Sequence, residues 1–167
     1  MYMKEDDRLQ EARLSQAMDQ HGDAVYRLAL CRLQNTHDAE DVYQETFLRL
    51  FLEDADEWDA EHMKAWLLRV AMNLCRDIGR KRKTRNWVSL EEVAEIPDGR
   101  TSEYTELWDA VNRLPEKYRM VFHLHYAQWC KTEDIAKILK IPAATVRVRL
   151  SRARTILRKE LETYDLC

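Results

Sequence analysis

Ala39, Val42, Tyr43, Thr46, Phe47 and Leu50 recur at i, i+3, i+4, i+7, i+8 and i+11 through the stretch DAEDVYQETFLRLF. That spacing lines all six along one stripe of an α-helix and leaves Asp41, Gln44, Glu45 and Leu48 off it. A strand would throw the same residues onto both faces, so the pattern predicts a helix with one buried side. An earlier helix is expected through AVYRLALCRL (24–33), ended by NTHD, with Asp38 as N-cap of the next helix and Asp41 in the acid position of a capping box. The period returns in MKAWLLRVAMNLCRDIGRKRK, where Trp66 and Val70 with Leu67, Leu74 and Ile78 form the expected core face. With only Gly 3 and Pro 3 in 167 residues, and helix formers abundant, the chain is expected to be all-α with short turns.

Residues 86–101, NWVSLEEVAEIPDGRT, lose the period and contain the turn signal Pro97-Asp98-Gly99. They are expected to be a linker between two small helical domains, 1–85 and 102–167. Helices resume near Ser102, and Pro115 suits the first turn of a helix whose core face is Tyr118, Val121, Phe122 and His125.

The C-terminal end carries its own signature. A short helix TEDIAKIL, the break KIP and a longer helix from Ala143 to about Glu160 spell a helix-turn-helix. Ala136 is small enough for close approach of the two helices. Val146, Leu150, Ala153 and Leu157 make the packed side of the second helix, and Ala144, Arg147, Val148, Ser151 and Thr155 face outward, flanked by Arg149, Arg152, Arg154 and Arg158. Arginines can grip phosphates or pair with guanine, and small apolar groups can meet a thymine methyl, so this face suits a DNA major groove.

The formal net charge of −3 hides a strong asymmetry. Residues 1–63 hold six bases against sixteen acids, a net of −10; residues 76–85 hold six bases against Asp77, a net of +5; residues 131–160 hold nine against three acids, a net of +6. Basic blocks call for phosphates and the acidic front for a different partner. Residues 1–13 lack a signal-peptide core, and no apolar run approaches a membrane span. Cys31, Cys75, Cys130 and Cys167 are widely spaced, which argues against a disulfide framework or a zinc site and for a reduced, cytoplasmic protein. His123 and His125 are expected on different sides of a helix, which argues against a metal pair. With no nucleophile–base set or phosphate-binding glycine loop, neither catalysis nor a cofactor is expected.

In order along the chain, DAEDVYQETFLRLF, KAWLLRVAMNLCRD, a linker, LPEKYRMVFHLHY and DIAKILKIPAATVRVRLSRARTILRKEL resemble a bacterial sigma factor of the extracytoplasmic-function (group IV) type, over roughly residues 15–162. Each motif alone is unspecific; the ordered set is specific. The resemblance implies a region-2 domain that binds core RNA polymerase and the −10 promoter element, and a region-4 domain that reads the −35 element. It implies core RNA polymerase, through its β′ clamp helices and β flap, and promoter DNA as partners, together with an anti-sigma factor. Asp41, Gln44, Glu45 and Leu48 match the motif that docks on the clamp helices. Trp58, in the connector DADEWDAEHM, is the aromatic available to stack a flipped −10 base, or else it plugs a core. Asn73 is placed to touch a base or phosphate, and Arg76, Arg80, Lys81, Arg82 and Arg85 to hold phosphates. Ala143, Ala144, Thr145, Arg147, Val148, Arg149, Ser151 and Arg152 would meet the −35 element. Glu91, Glu92 and Glu95 would lie along the polymerase cleft, or simply be solvated.

Three departures stand out. Trp129 and Lys131 replace the Gly and Ser usual before the first helix of the motif, leaving Thr132 as the expected cap, with Glu133 and Asp134 in the first turn. Ala144 replaces a common Gly and Val148 a common Ser, changes that bear on −35 preference rather than fold. Two other functions fit half of the charge pattern each: a stand-alone helix-turn-helix regulator, and a polymerase-binding interaction module.

Overall fold

A computed structural model describes residues 4–84 and 105–165, the side chains of 164 and 165 excepted. Among these residues are seven α-helices and no strand: α1 (Glu5–Leu33), α2 (Thr36–Leu52), α3 (Ala60–Thr84), α4 (Thr105–Arg113), α5 (Glu116–Phe122), α6 (Thr132–Leu139) and α7 (Ala143–Asp165). The all-α expectation holds. The chain forms two units, Met1–Ala94 and Glu95–Cys167. Arg85, Glu91, Glu92, Glu95, Cys167 and the expected linker lie outside the described residues.

In the first unit α1 packs on both α2 and α3. It starts at Glu5, well before residue 24, because nothing between 5 and 21 breaks a helix and Glu5, Asp6 and Asp7 complement the positive end of its dipole. Gly22 sits in its interior because a Cβ there would lie 3.0 Å from the Tyr43 hydroxyl of α2. Tyr43 is accordingly half-buried, its ring 4.8 Å from Phe47, while Ala39, Val42, Thr46, Phe47 and Leu50 are buried as their spacing required. The buried Thr46 hydroxyl is satisfied by donating to the Val42 carbonyl at 2.6 Å.

Two expectations for this unit are corrected. Asn35, not Asp38, caps α2: its side chain accepts from the Asp38 N–H at 2.9 Å, and Asp38 occupies the third helical position, where its carboxylate pairs with Arg82 of α3. The buried face of α3 is Met63, Leu67, Leu68, Ala71, Met72 and Cys75; Trp66, Val70, Leu74 and Ile78 lie half-buried on its shoulder. The buried set is centred near Ala71, and the expected stripe, which shares Leu67 with it, ran about one position to its side. Between α2 and α3 the connector is held down by buried Ala55 and by Arg13 of α1, which pairs with Asp56 and donates to the Glu53 carbonyl at 3.2 Å. Asp59 then accepts the His62 N–H at 2.7 Å and starts α3.

In the second unit α4, α5 and α6 pack on α7. Its core joins Ala110, Val111 and Leu114 to Phe122 and to Ala153 and Leu157 of α7. Pro115 stands one place before α5, as its N-cap, not within its first turn. After Phe122 the chain widens into a five-residue π-turn, His123–Ala127, closed by Gln128 N–H donating to the His123 carbonyl at 3.2 Å. The extra residue shifts the register from His123 onward. Val121 and Phe122 are buried as expected, Tyr118 and His125 are only half-buried, and Arg119, Met120, His123 and Leu124 fill the core. Buried Arg119 is satisfied by the Leu114 carbonyl at 3.0 Å.

The turn before α6 is made by Trp129 in the left-handed region, φ 58°, followed by Cys130 N–H donating to the Leu124 carbonyl at 2.9 Å. For a bulky side chain that conformation costs about 1–2 kcal/mol. Thr132 is the first residue of α6 rather than its cap, and no side chain caps that end. Lys140, also left-handed, ends α6, and Ile141 N–H donates to the Ala136 carbonyl at 3.1 Å. Val146, Leu150, Ala153 and Leu157 of α7 are all buried, as their spacing required, and the helix runs on to Asp165.

Candidate functional site

Three surfaces carry the residues singled out by sequence. On α2, burying the stripe from Ala39 to Leu50 turns Asp41, Gln44 and Leu48 outward, Leu48 with 54% of its surface exposed. Glu45 is half-exposed and held by Arg49 one turn on, at 2.9 Å. Leu52 extends this face and is 76% exposed. Its i+4 relation to Leu48, off the buried stripe, was the signal that could have found it. Two exposed leucines beside carboxylates and an amide make a face suited to a partner with an apolar centre and a basic rim.

The second surface joins the connector to the far half of α3. Trp58 is half-buried, stacked on His62 with ring centroids 4.6 Å apart and planes 8° apart, and tilted against Trp66 at 5.3 Å. It is thus part of a three-ring aromatic group, neither a deep core plug nor an isolated platform. Asn73 is half-buried and its Oδ1 accepts from Arg76 at 2.8 Å, so its amide N–H groups are the part left to meet a ligand. Burial, and then the nearby Arg32 and Arg80, push the Arg76 guanidinium below its ordinary range. Arg80 and Lys81 are exposed, with Asp77 3.9 Å from Arg80. Arg82 departs from this group: its pairing with Asp38 ties α3 to the start of α2. Arg32, in the last turn of α1, is the cation sequence reasoning missed. Its Nη2 lies 3.7 Å from where a Cβ on Gly79 of α3 would stand.

The third surface is the outward side of α7. Ala144, Arg147, Val148, Ser151 and Arg152 are exposed, Val148 by 50%, while Ala143, Thr145 and Arg149 are half-buried. Arg147 is 4.0 Å from Glu133 of α6. Arg154 donates to the Tyr126 hydroxyl at 3.1 Å. The Arg152 guanidinium near the Tyr118 hydroxyl, with Lys117 adding to it, holds that pKa below the ordinary phenol value. Just ahead of this motif, Trp129 is 80% exposed.

Cys31 and Cys75 are buried, and burial pushes the Cys75 thiol up to about 12, so it carries almost no thiolate at neutral pH. Cys130 is half-exposed. Among the described residues no group of three His, Cys, Asp or Glu side chains could hold a metal, and no helix is long and apolar enough to cross a membrane.

Residues 17–85 match the family Sigma-70 region 2, and residues 104–157 match Sigma-70, region 4. The chain is 33% identical over 162 residues to the ECF RNA polymerase sigma factor SigW of Bacillus subtilis (strain 168), covering 86% of each chain. It is 28% identical over 158 residues to the RNA polymerase sigma factor SigV of the same organism, covering 93% of this chain and 95% of that one. Among solved structures it resembles the sigma factor RpoE of Bartonella quintana, co-crystallised with the anti-sigma factor NepR. There the TM-score is 0.70 and the identity 25%, covering 91% of this chain and 96% of that one.

Proposed function

The chain belongs to the sigma-70 family, as a sigma factor of the extracytoplasmic-function group, and we propose that it directs promoter-specific initiation through the three surfaces above. It acts as a specificity subunit of RNA polymerase, itself non-catalytic, in the cytoplasm where polymerase and promoter meet. Residues 1–85 bind core polymerase and the −10 element, 86–101 link, and 102–167 bind the −35 element and the β flap. The outward face of α2, with Asp41, Gln44, Glu45 and Leu48, docks on the β′ clamp helices. The connector and α3 hold the −10 strand: Trp58 stacks an unpaired base, Asn73 donates to a base or phosphate, and Arg76, Arg80, Lys81 and Arg85 neutralise phosphates. Arg82 joins them only by releasing Asp38. Capture of unpaired bases and phosphate neutralisation supply the driving force for melting; stacking contributes about 1–3 kcal/mol per base. Residues 143–152 of α7 read the −35 duplex. An anti-sigma factor covers these surfaces when the protein is idle, as NepR is bound to RpoE in the solved relative.

The observation that carries the docking assignment is Leu48, exposed one turn beyond Gln44 on a helix whose opposite stripe is buried at Ala39, Val42, Thr46, Phe47 and Leu50. The affinity for core RNA polymerase tests it. Wild type should bind, and an Asp41→Ala/Gln44→Ala double variant should bind much more weakly while keeping its helicity. A folded wild type that ignores core polymerase would leave a stand-alone DNA-binding regulator. On DNA, Arg147→Ala should weaken binding by about 1–3 kcal/mol at the preferred −35 sequence and little elsewhere; an equal loss on every sequence would make Arg147 a phosphate contact.

A further inference from the structure

At Trp129 both the backbone and the exposure run against the side chain. Its φ of 58° lies in the left-handed region, which glycine enters freely and a bulky residue only with strain. The indole gains no burial in exchange, since 80% of its surface stays in solvent. Both neighbours are pinned. Gln128 is buried, donates its N–H to the His123 carbonyl at 3.2 Å and sets its side chain 3.3 Å from His123 Nε2. Cys130 donates its N–H to the Leu124 carbonyl at 2.9 Å. The turn is therefore held in its strained form, and it presents a flat apolar ring with a single N–H donor on a fixed stem. Strain fixed by its surroundings, under a large ring left uncovered, points to a bound state that covers the ring.

We propose that Trp129 packs on the sugar–phosphate edge of the −35 duplex, its ring against a deoxyribose and its indole N–H donating to a phosphate oxygen. The proposal rests on the −35 reading of α7 and adds to it a residue outside that helix. Continuity with the outward side of α7 argues for DNA as the occupant. Glu133, one turn beyond Trp129 in α6, stands 4.0 Å from Arg147 of α7, so the start of α6 adjoins the reading face. In a helix-turn-helix the second helix enters the groove while the first crosses the backbone, which puts the turn leading into α6 at the phosphate edge. Local charge decides what kind of contact can form there. Residues 128–134 hold one base, Lys131, against Glu133 and Asp134, so net charge does not draw a phosphate to this turn. A neutral donor on an apolar ring suits the place, because a neighbouring carboxylate does not cancel it.

The test uses the full-length protein and a short fluorescent DNA duplex of mixed sequence, with anisotropy read across a salt series and a thermal melt of each variant. A backbone contact is made on any sequence, so the promoter need not be known. Trp129→Gly should weaken binding about three- to tenfold while the melting temperature stays level or rises, because glycine relieves the strained φ. The slope of log affinity against log salt should match wild type, since a neutral donor displaces no counterion. Trp129→Phe keeps the ring and removes the N–H, and should fall between the two. Affinity and melting temperature that drop together in Trp129→Gly would make the indole a packing group and overturn the proposal. Unchanged affinity in Trp129→Gly would also overturn it, and would leave the ring to a protein partner. Arg147→Ala separates the two levels of inference. Weaker binding there, with none lost in Trp129→Gly, removes the Trp129 contact and keeps the −35 reading; no loss in either variant removes both.

Discussion

The first unit and the outward side of α7 hold their arginines with different partners. In the first, carboxylates take them: Arg82 with Asp38, Arg13 with Asp56, Arg49 with Glu45. On the outward side of α7 a phenol takes that place, with Arg154 donating to Tyr126 and Arg152 near the Tyr118 hydroxyl, and Glu133 stands a full 4.0 Å from Arg147. A carboxylate orients a guanidinium and cancels its charge, whereas a phenol orients it and leaves the charge in place. The first unit therefore divides its bases into structural pins and ligand-facing groups. The outward face of α7 keeps its arginines both ordered and charged, which is what the proposed reading of a duplex requires of it.

The largest expected effects lie in the cores and ask whether two units exist to be compared. Leu67→Ala should destabilise the first unit, and Leu124→Ala the second, by about 2–5 kcal/mol each. Urea melts followed by residue-specific amide signals should show each substitution moving its own unit's transition; a common shift of both would mean one cooperative body.

The next pair tests the partners themselves. Asp38→Asn should lower the stability of the first unit by about 1 kcal/mol, since Arg82 and Asp38 are only partly screened, with little loss of affinity for duplex DNA. Tyr126→Phe should barely change stability and should weaken duplex binding by about 0.5–1 kcal/mol, by releasing Arg154. Reversal of either pattern, read by thermal melts and DNA titrations, would break the contrast.

These expectations also mark what sequence could convey. The α2 stripe was legible because its period is unambiguous and its polar side clean. On α3 nearly every residue from Met63 to Leu74 that is not charged is apolar or small, so the period under-determined the face and the choice fell one position off. The stretch NTHD offers several capping residues within four positions, and Asn35 prevailed over Asp38, which Arg82 engages from a distant part of the chain. No local pattern encodes that pairing or the placement of Arg32 over Gly79. The packed side of α7 was readable for the same reason as α2, and so was the outward set it implies.

Smaller effects sharpen the comparison at the turns. Trp129→Gly should stabilise the second unit by about 1 kcal/mol, because glycine adopts φ near 58° without strain. A loss of stability instead would mean the indole, though exposed, packs usefully. In the first unit His21 is buried, and desolvation, with Lys64 adding to it, lowers its pKa below 6.5. The unfolded chain therefore binds the proton more readily than the folded one, so stability should be level above about pH 6.5 and fall as pH drops from there toward the lowered value. A His21→Leu variant should flatten that limb; an unchanged limb would assign it to other groups.

The π-turn from His123 to Ala127 carries one residue more than an α-helical path over the same span. Insertions and deletions inside helices normally rotate everything downstream by a hundred degrees and scramble the core. Here the chain already holds a spare residue, so losing one tightens the coil and leaves both flanks facing as before. Evolution could therefore edit the length of this chain at that place, directly upstream of the helix-turn-helix, without rebuilding either side.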